Sequence, residues 1–164
     1  MENYKMDTSL LYNQFITEFK QANNYQTQIS QKEFESKLID INLQYGNNGN
    51  DWNTQNLVQQ NNIRISIHTI EAQRDNYITK AIVTAIQLAD YELSNSKNIV
   101  FSMAYVAFNS INSFISSYNI KLNLSLFIIS KIAQISKRLI LESNLSFINL
   151  RAEIEHLKSL CKIF

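Results

Sequence analysis

Residues 63–93, IRISIHTIEAQRDNYITKAIVTAIQLADYEL, carry the longest sustained helical pattern in the chain. Ile67, Ile70, Ile78, Ala81, Ile82, Ala85, Leu88, Ala89 and Leu93 recur at steps of three and four. That spacing lines them along one broad face of a helix, which must be buried. The rest of the chain is expected to pack around the second half of this helix. Its end is unusual, because Asp90 and Glu92 stand where the helix dipole disfavours negative charge by about 0.3–1 kcal/mol. Acid placed there is either paired or used, which makes Asp90 and Glu92 the candidate site residues.

Composition sets the fold class. The chain has 164 residues, 45% of them hydrophobic, with two glycines and no proline. Turn-rich β architectures need the breakers and the φ > 0 positions that Gly and Pro supply, so the reading is all-α. Six to eight helices are expected, in one domain over residues 1–164 or in two small helical halves sharing a core. A net charge of +1 with evenly mixed signs offers no basic face for nucleic acid. The single cysteine, Cys161, excludes an intramolecular disulfide and a cysteine-based zinc site, and fits a reducing compartment. The first residues, MENYKMDTSLLYNQF, lack the apolar core of a signal peptide. No stretch approaches the ~20 apolar residues of a spanning helix.

Taken in order, a first helix is expected after Asp7 or Thr8, with Leu11, Phe15, Ile16 and Phe19 on its inner side. QANNYQTQ reads as a linker. Ser30 and Glu33 then form a capping box and Ile29 and Phe34 a hydrophobic staple, so a second helix should start there. It would bury Phe34, Leu38, Ile41 and Tyr45 and stop at Gly46. The GNNGND segment holds both glycines and reads as a loop, with Asp51 capping a short turn through Trp52 and Val58. Ile63, Ile65 and Ile67 alternate briefly in strand fashion but, with no partner strand in view, are assigned to the start of the central helix.

After the central helix, residues 100–118 carry two apolar stripes, one through Val100, Met103, Ala104, Ala107, Ile111, Phe114 and Tyr118 and one through Phe101, Tyr105, Phe108 and Ile115. This helix is expected to be the most buried, with Asn119 at its end. Asn123 can cap a following helix through Leu124, Ile128, Ile132, Ile135 and Leu139. The last helix runs through Phe147, Leu150, Ile154, Leu157, Cys161 and Phe164 in coiled-coil spacing, with Arg151 and Glu155 as an i,i+4 pair on its outer side.

Catalytic signatures are scarce. The two histidines, His68 and His156, belong to no HExxH pattern, no phosphate-binding loop is present, and Cys161 sits on an apolar seam. Arg151 and His156 form an R-x4-H pair that resembles the signature of HEPN-type ribonucleases. There the pair would polarise a phosphodiester and shuttle a proton. Ala152 stands where that family commonly has a polar residue, and a solvated helix face is the simpler account.

The order of elements resembles a different family, DotU/TssL, the inner-membrane component of bacterial type VI secretion systems. AIVTAIQLADYELSNS is similar to that family's helix ending in an Ala-Leu-Leu-Asp-Glu-type motif. LNLSLFIISKIAQISKR resembles its later leucine- and aromatic-rich helix, and LRAEIEHLKSLCKIF its Arg-Ala-Glu-Leu-led closing helix. Tyr91 replaces the Glu that usually follows Asp90, and the family's Gly-Phe-x-Gly pattern is absent. The resemblance implies two small three-helix bundles and a transmembrane anchor outside these residues. It also implies a non-enzymatic scaffold at the cytoplasmic face of the inner membrane, with no cofactor and no metal. Its partners would be the membrane complex and the baseplate, met through Asp90 and Glu92, and homodimerisation is left open. The competing expectations are a generic helical adaptor or effector and the ribonuclease.

Overall fold

The computed structural model describes residues 2–45, 49–95, 103–122 and 147–161, together with 131 and 134. Side-chain surroundings are described at 8–45, 51–92, 103–122, 131, 134 and 151–161. The described residues hold four helices and no strand: α1, Glu2–Tyr45; α2, Gly49–Asn95; α3, Met103–Tyr118; and α4, Phe147–Leu160. The all-α expectation stands. The count of six to eight does not emerge, because expected neighbours fuse and the helix expected from Asn123 lies outside the described residues.

Fusion is the main correction. No Gly or Pro occurs before Gly46, so nothing in the backbone chemistry forces a break at QANNYQTQ. What decides the matter is tertiary: Ala22, Gln26 and Ile29 of that stretch are buried. Ser30, expected to cap a new helix, instead accepts a hydrogen bond from Gln26 Nε2 one turn back at 3.3 Å. The same holds for α2, which starts at Gly49, places Asp51 in its first turn at the favourable end of the dipole, and runs unbroken through the isoleucines that alternate at 63–67. The C-cap expected at Gly46 lies outside the described residues.

The chain divides into two compact units, one of Met1–Phe19 with Tyr77–Phe164 and one of Lys20–Asn76. In the first unit the core is the second half of α2, as its spacing predicts. Ile78, Ala81, Ile82, Ala85, Ile86 and Leu88 are wholly inaccessible. Phe15 of α1, Phe108 and Ile111 of α3, and Ile154 and Leu157 of α4 are buried with them. Rings join α1 to α3: Phe19 stacks on Phe15 with centroids 5.5 Å apart and meets the edge of Phe114 at 5.4 Å. Buried Thr84 donates to Glu18 and accepts from Gln14 Nε2 at 3.3 Å, a polar layer between α1 and α2.

α3 is buried along one face and not on most of its sides. Ala104, Ala107, Phe108, Ile111 and Phe114 face inward, but Met103 and Tyr118, expected on the inward stripe, are exposed at the two ends of the helix, as is Val106. Its end is as expected. Asn119 takes φ 50°, Ile120 N–H donates to Ile115 O at 3.1 Å and Asn119 N–H to Ser116 O at 3.4 Å. That pair of bonds is a Schellman motif, with asparagine in the left-handed position and Ile120 tucked inward behind it.

The second unit is an antiparallel pair of helical segments, from α1 and α2. Its seam buries Ala22, Ile29, Ile39, Ile63 and Ile70 and two polar side chains, Gln26 and Arg74. Gln26 Oε1 accepts from Arg74 Nη1 at 2.7 Å, and Arg74 also pairs with Asp75 at 2.9 Å. Farther toward the C-terminal end of α1, Gln60 Nε2 donates to Ser36 O at 3.3 Å and to the Asp40 carboxylate. Such polar layers fix register, since a slip of either helix would strand a buried donor.

Candidate protein-interaction surface

The two acids at the end of α2 turn in different directions. Two positions on a helix differ by about 200° around its axis, so Asp90 and Glu92 address different neighbours. Glu92 is 6% exposed, and its Oε1 accepts from the backbone N–H groups of Met103 at 3.0 Å and Ala104 at 3.2 Å. These are orphan donors of the first turn of α3, so a carboxylate supplied from α2 caps α3 and meets the positive end of its dipole. The acid placed unfavourably for its own helix is placed well for the next one.

Asp90 turns to α4. Its Oδ2 lies 3.0 Å from Lys158 Nζ, and Glu155 approaches the same ammonium at 3.7 Å. The Asp90 hydrogen bond, with the charges of Asp90 and Glu155, raises the Lys158 pKa above its usual value against an opposing contribution from burial. Glu155 thus reaches Lys158 one turn on, where the sequence suggested Arg151. Neither acid offers a bare carboxylate in the described structure: Asp90 is half-buried and ion-paired, Glu92 is buried.

Other sequence candidates separate. Arg151 and His156 are both exposed on α4, and five residues place them about 140° apart around its axis. One molecule therefore does not present the two to a common phosphate. Cys161 is half-buried, and burial pushes its thiol pKa up, away from the thiolate a nucleophile needs. His68 is exposed and Trp52 half-buried. Among the described residues no three His, Cys, Asp or Glu side chains gather as a metal site requires, and no helix is long and apolar enough to cross a membrane.

The surface that sequence reasoning missed lies on α1. Phe34, Leu38, Ile41 and Tyr45, expected in the core, are 62%, 46%, 51% and 81% exposed. Their steps of four, three and four make a heptad-like stripe. At ~100° per residue its centre falls roughly opposite the line through Ile29, Ser36, Ile39 and Leu43 that faces α2. The expectation failed because a helix that starts at Ser30 needs these residues as its only apolar face, whereas the continuous α1 uses another face. α2 has a lesser counterpart in exposed Leu57, Val58 and Ile65. Signal for the stripe was present: within residues 29–45 the apolar positions are too many for one seam.

The chain matches no family model, no curated protein and no solved structure. Its reading therefore rests on its own surfaces.

Proposed function

We propose that this protein is a non-catalytic helical docking module whose ligand is another helix. The observation that carries the reading is the stripe of Phe34, Leu38, Ile41 and Tyr45, four large side chains at coiled-coil spacing on the outer face of a buttressed helix. Such a face costs solubility unless something covers it, and a contiguous apolar patch of several hundred Å² marks an interaction site. Helix-on-helix packing matches its i, i+4, i+7 anchors.

The resemblance to DotU/TssL narrows the same reading to a scaffold of a type VI secretion membrane complex. Its support is the three stretches of sequence quoted above. On that narrower reading the module works at the cytoplasmic face of the inner membrane and meets the baseplate near Asp90, on the rim formed by α2 and α4. The unbroken α1 and α2 are longer than the elements of two small three-helix bundles, so the general reading stands independently of the narrower one.

The test is a photoreactive amino acid at Leu38 in cells that make the full chain, with Glu33, exposed on the same helix, as control. An adduct from position 38 and none from position 33, mapped by mass spectrometry to a helical segment, is expected. No adduct at position 38 overturns the docking reading. For the narrower one, Asp90→Ala should abolish co-purification with a baseplate component, a loss larger than the lowered melting midpoint from breaking the Lys158 pair accounts for.

A further inference from the structure

Resting on the reading of the α1 stripe as a docking surface, we infer that its occupant is a second copy of this chain, with the two α1 helices side by side and parallel. The first argument is charge. Glu35 lies about 90° to one side of the stripe and Lys37 about 70° to the other, both exposed. A parallel two-fold pair sets Glu35 of each copy on the Lys37 side of the other, where Lys37 lies nearer the seam than exposed Glu33 at about 110°, so one unlike pair flanks the apolar seam on each side. An antiparallel pair sets like shoulder against like shoulder and gains nothing from them. The stripe is thus electrostatically complementary to itself in one orientation, which a foreign helix would have to match with charges of its own.

The second argument is shape and area. In a parallel pair each of Phe34, Leu38, Ile41 and Tyr45 meets its own equivalent, giving four successive apolar layers. The exposed parts of these four side chains amount to on the order of 500 Å² per copy, and a pair reaches the ~1,000 Å² at which specific interfaces begin. The stripe spans two heptads and then runs into Gln31, Thr27 and Asn24, polar positions that end it. An interface of this size forms a reversible dimer with a dissociation constant of roughly 1–100 µM.

Sedimentation velocity of the full chain from about 1 to 200 µM reads the association. A concentration-dependent monomer–dimer equilibrium is expected. Leu38→Lys with Ile41→Lys should be monomeric throughout with unchanged helical circular dichroism, since both positions lie off the seam with α2. Leu57→Lys, on the other helix, should leave the dimer intact. In a Cys161→Ser background, Gln31→Cys lies one layer from Phe34 in the parallel pair, and mild oxidation should link the two copies. A dimer that forms but does not link through position 31 overturns the parallel arrangement, and a wild-type chain monomeric at all concentrations overturns self-pairing. The photoreactive group at Leu38 separates the two readings. An adduct of twice the chain mass supports self-pairing, one of another mass sinks self-pairing while keeping the docking module, and no adduct sinks both.

Discussion

Glu92→Leu is the substitution that separates a structural acid from a docking acid. The carboxylate reaches across from α2 to hold two amides of the first turn of α3. Ala104 is buried, so its N–H loses its partner with no water to replace it, a cost of about 1–3 kcal/mol. Met103 is exposed enough for its amide to rehydrate, and loss of the cap there costs about 1 kcal/mol. Together the change should destabilise by about 2–4 kcal/mol. At 2–4 °C per kcal/mol for a chain of this size, the melting midpoint should fall by roughly 5–15 °C. Glu92→Gln keeps an acceptor oxygen and loses only the charge facing the helix dipole, so its cost should be about 1 kcal/mol or less.

Because the chain has two compact units, a single global midpoint can hide a local loss. Amide hydrogen exchange resolves it. Protection at Met103 and Ala104 should collapse in Glu92→Leu and persist in Glu92→Gln, while residues 20–76 keep their native protection. A Glu92→Leu protein with native melting and native protection at Ala104 would refute the capping argument and return Glu92 to the surface as a ligand for a partner.

Gln26→Leu should cost about 1–3 kcal/mol in urea unfolding, because it leaves Arg74 Nη1 without the acceptor now 2.7 Å away; a neutral result would mean that Asp75 alone satisfies the guanidinium. The Asp90–Lys158 pair predicts an alkaline effect: folding raises the Lys158 pKa, so the pair's contribution is full below the unfolded value of about 10.4 and is lost as pH climbs through the raised one. Melting of Asp90→Asn should therefore fall less steeply over that alkaline range than wild type, and parallel curves would sink the idea. Arg151→Ala should leave stability within about 0.5 kcal/mol, as substitution of an exposed side chain generally does. RNA cleavage lost in both Arg151→Ala and His156→Ala would overturn the non-catalytic reading.

What the sequence made legible was the periodicity of residues 78–89, whose face is buried as spaced, and the asparagine stop of α3. What it hid depended on which neighbour each face met. Ser30, Glu33, Ile29 and Phe34 satisfy every local rule for a helix start, yet Ile29 lies in the α1–α2 seam and Phe34 outside it. A capping box stabilises an end that already exists and cannot create one where burial of Ala22 and Gln26 rewards continuation. For the acids, the helix-dipole argument correctly marked Asp90 and Glu92 as needing compensation. It could not name Lys158 or the amides of α3, because those contacts join positions far apart in the chain. The Arg151–His156 pair shows the converse, since a spacing that looks suggestive on paper wraps around a helix and diverges.

The two compact units differ in a way that bears on association. The first encloses Ile78, Ala81, Ile82, Ala85, Ile86 and Leu88 of α2 together with buried side chains of α1, α3 and α4. The second has one helix facing one helix, and its seam spends two positions, Gln26 and Arg74, on a polar layer that specifies register rather than adding apolar burial. Two paired helices bury only one side of each, so such a unit holds less free energy per residue than a bundle of three or more. A partner laid on the outer stripe of α1 would supply the missing side and stabilise the unit by mass action in proportion to its concentration over its dissociation constant. The features that look like defects when this segment is considered alone, a thin seam and an uncovered stripe on the opposite face of the same helix, are then one feature. The seam sets which face of α1 points outward and in what register, and on the proposed docking reading the stripe is the surface that this outward face offers.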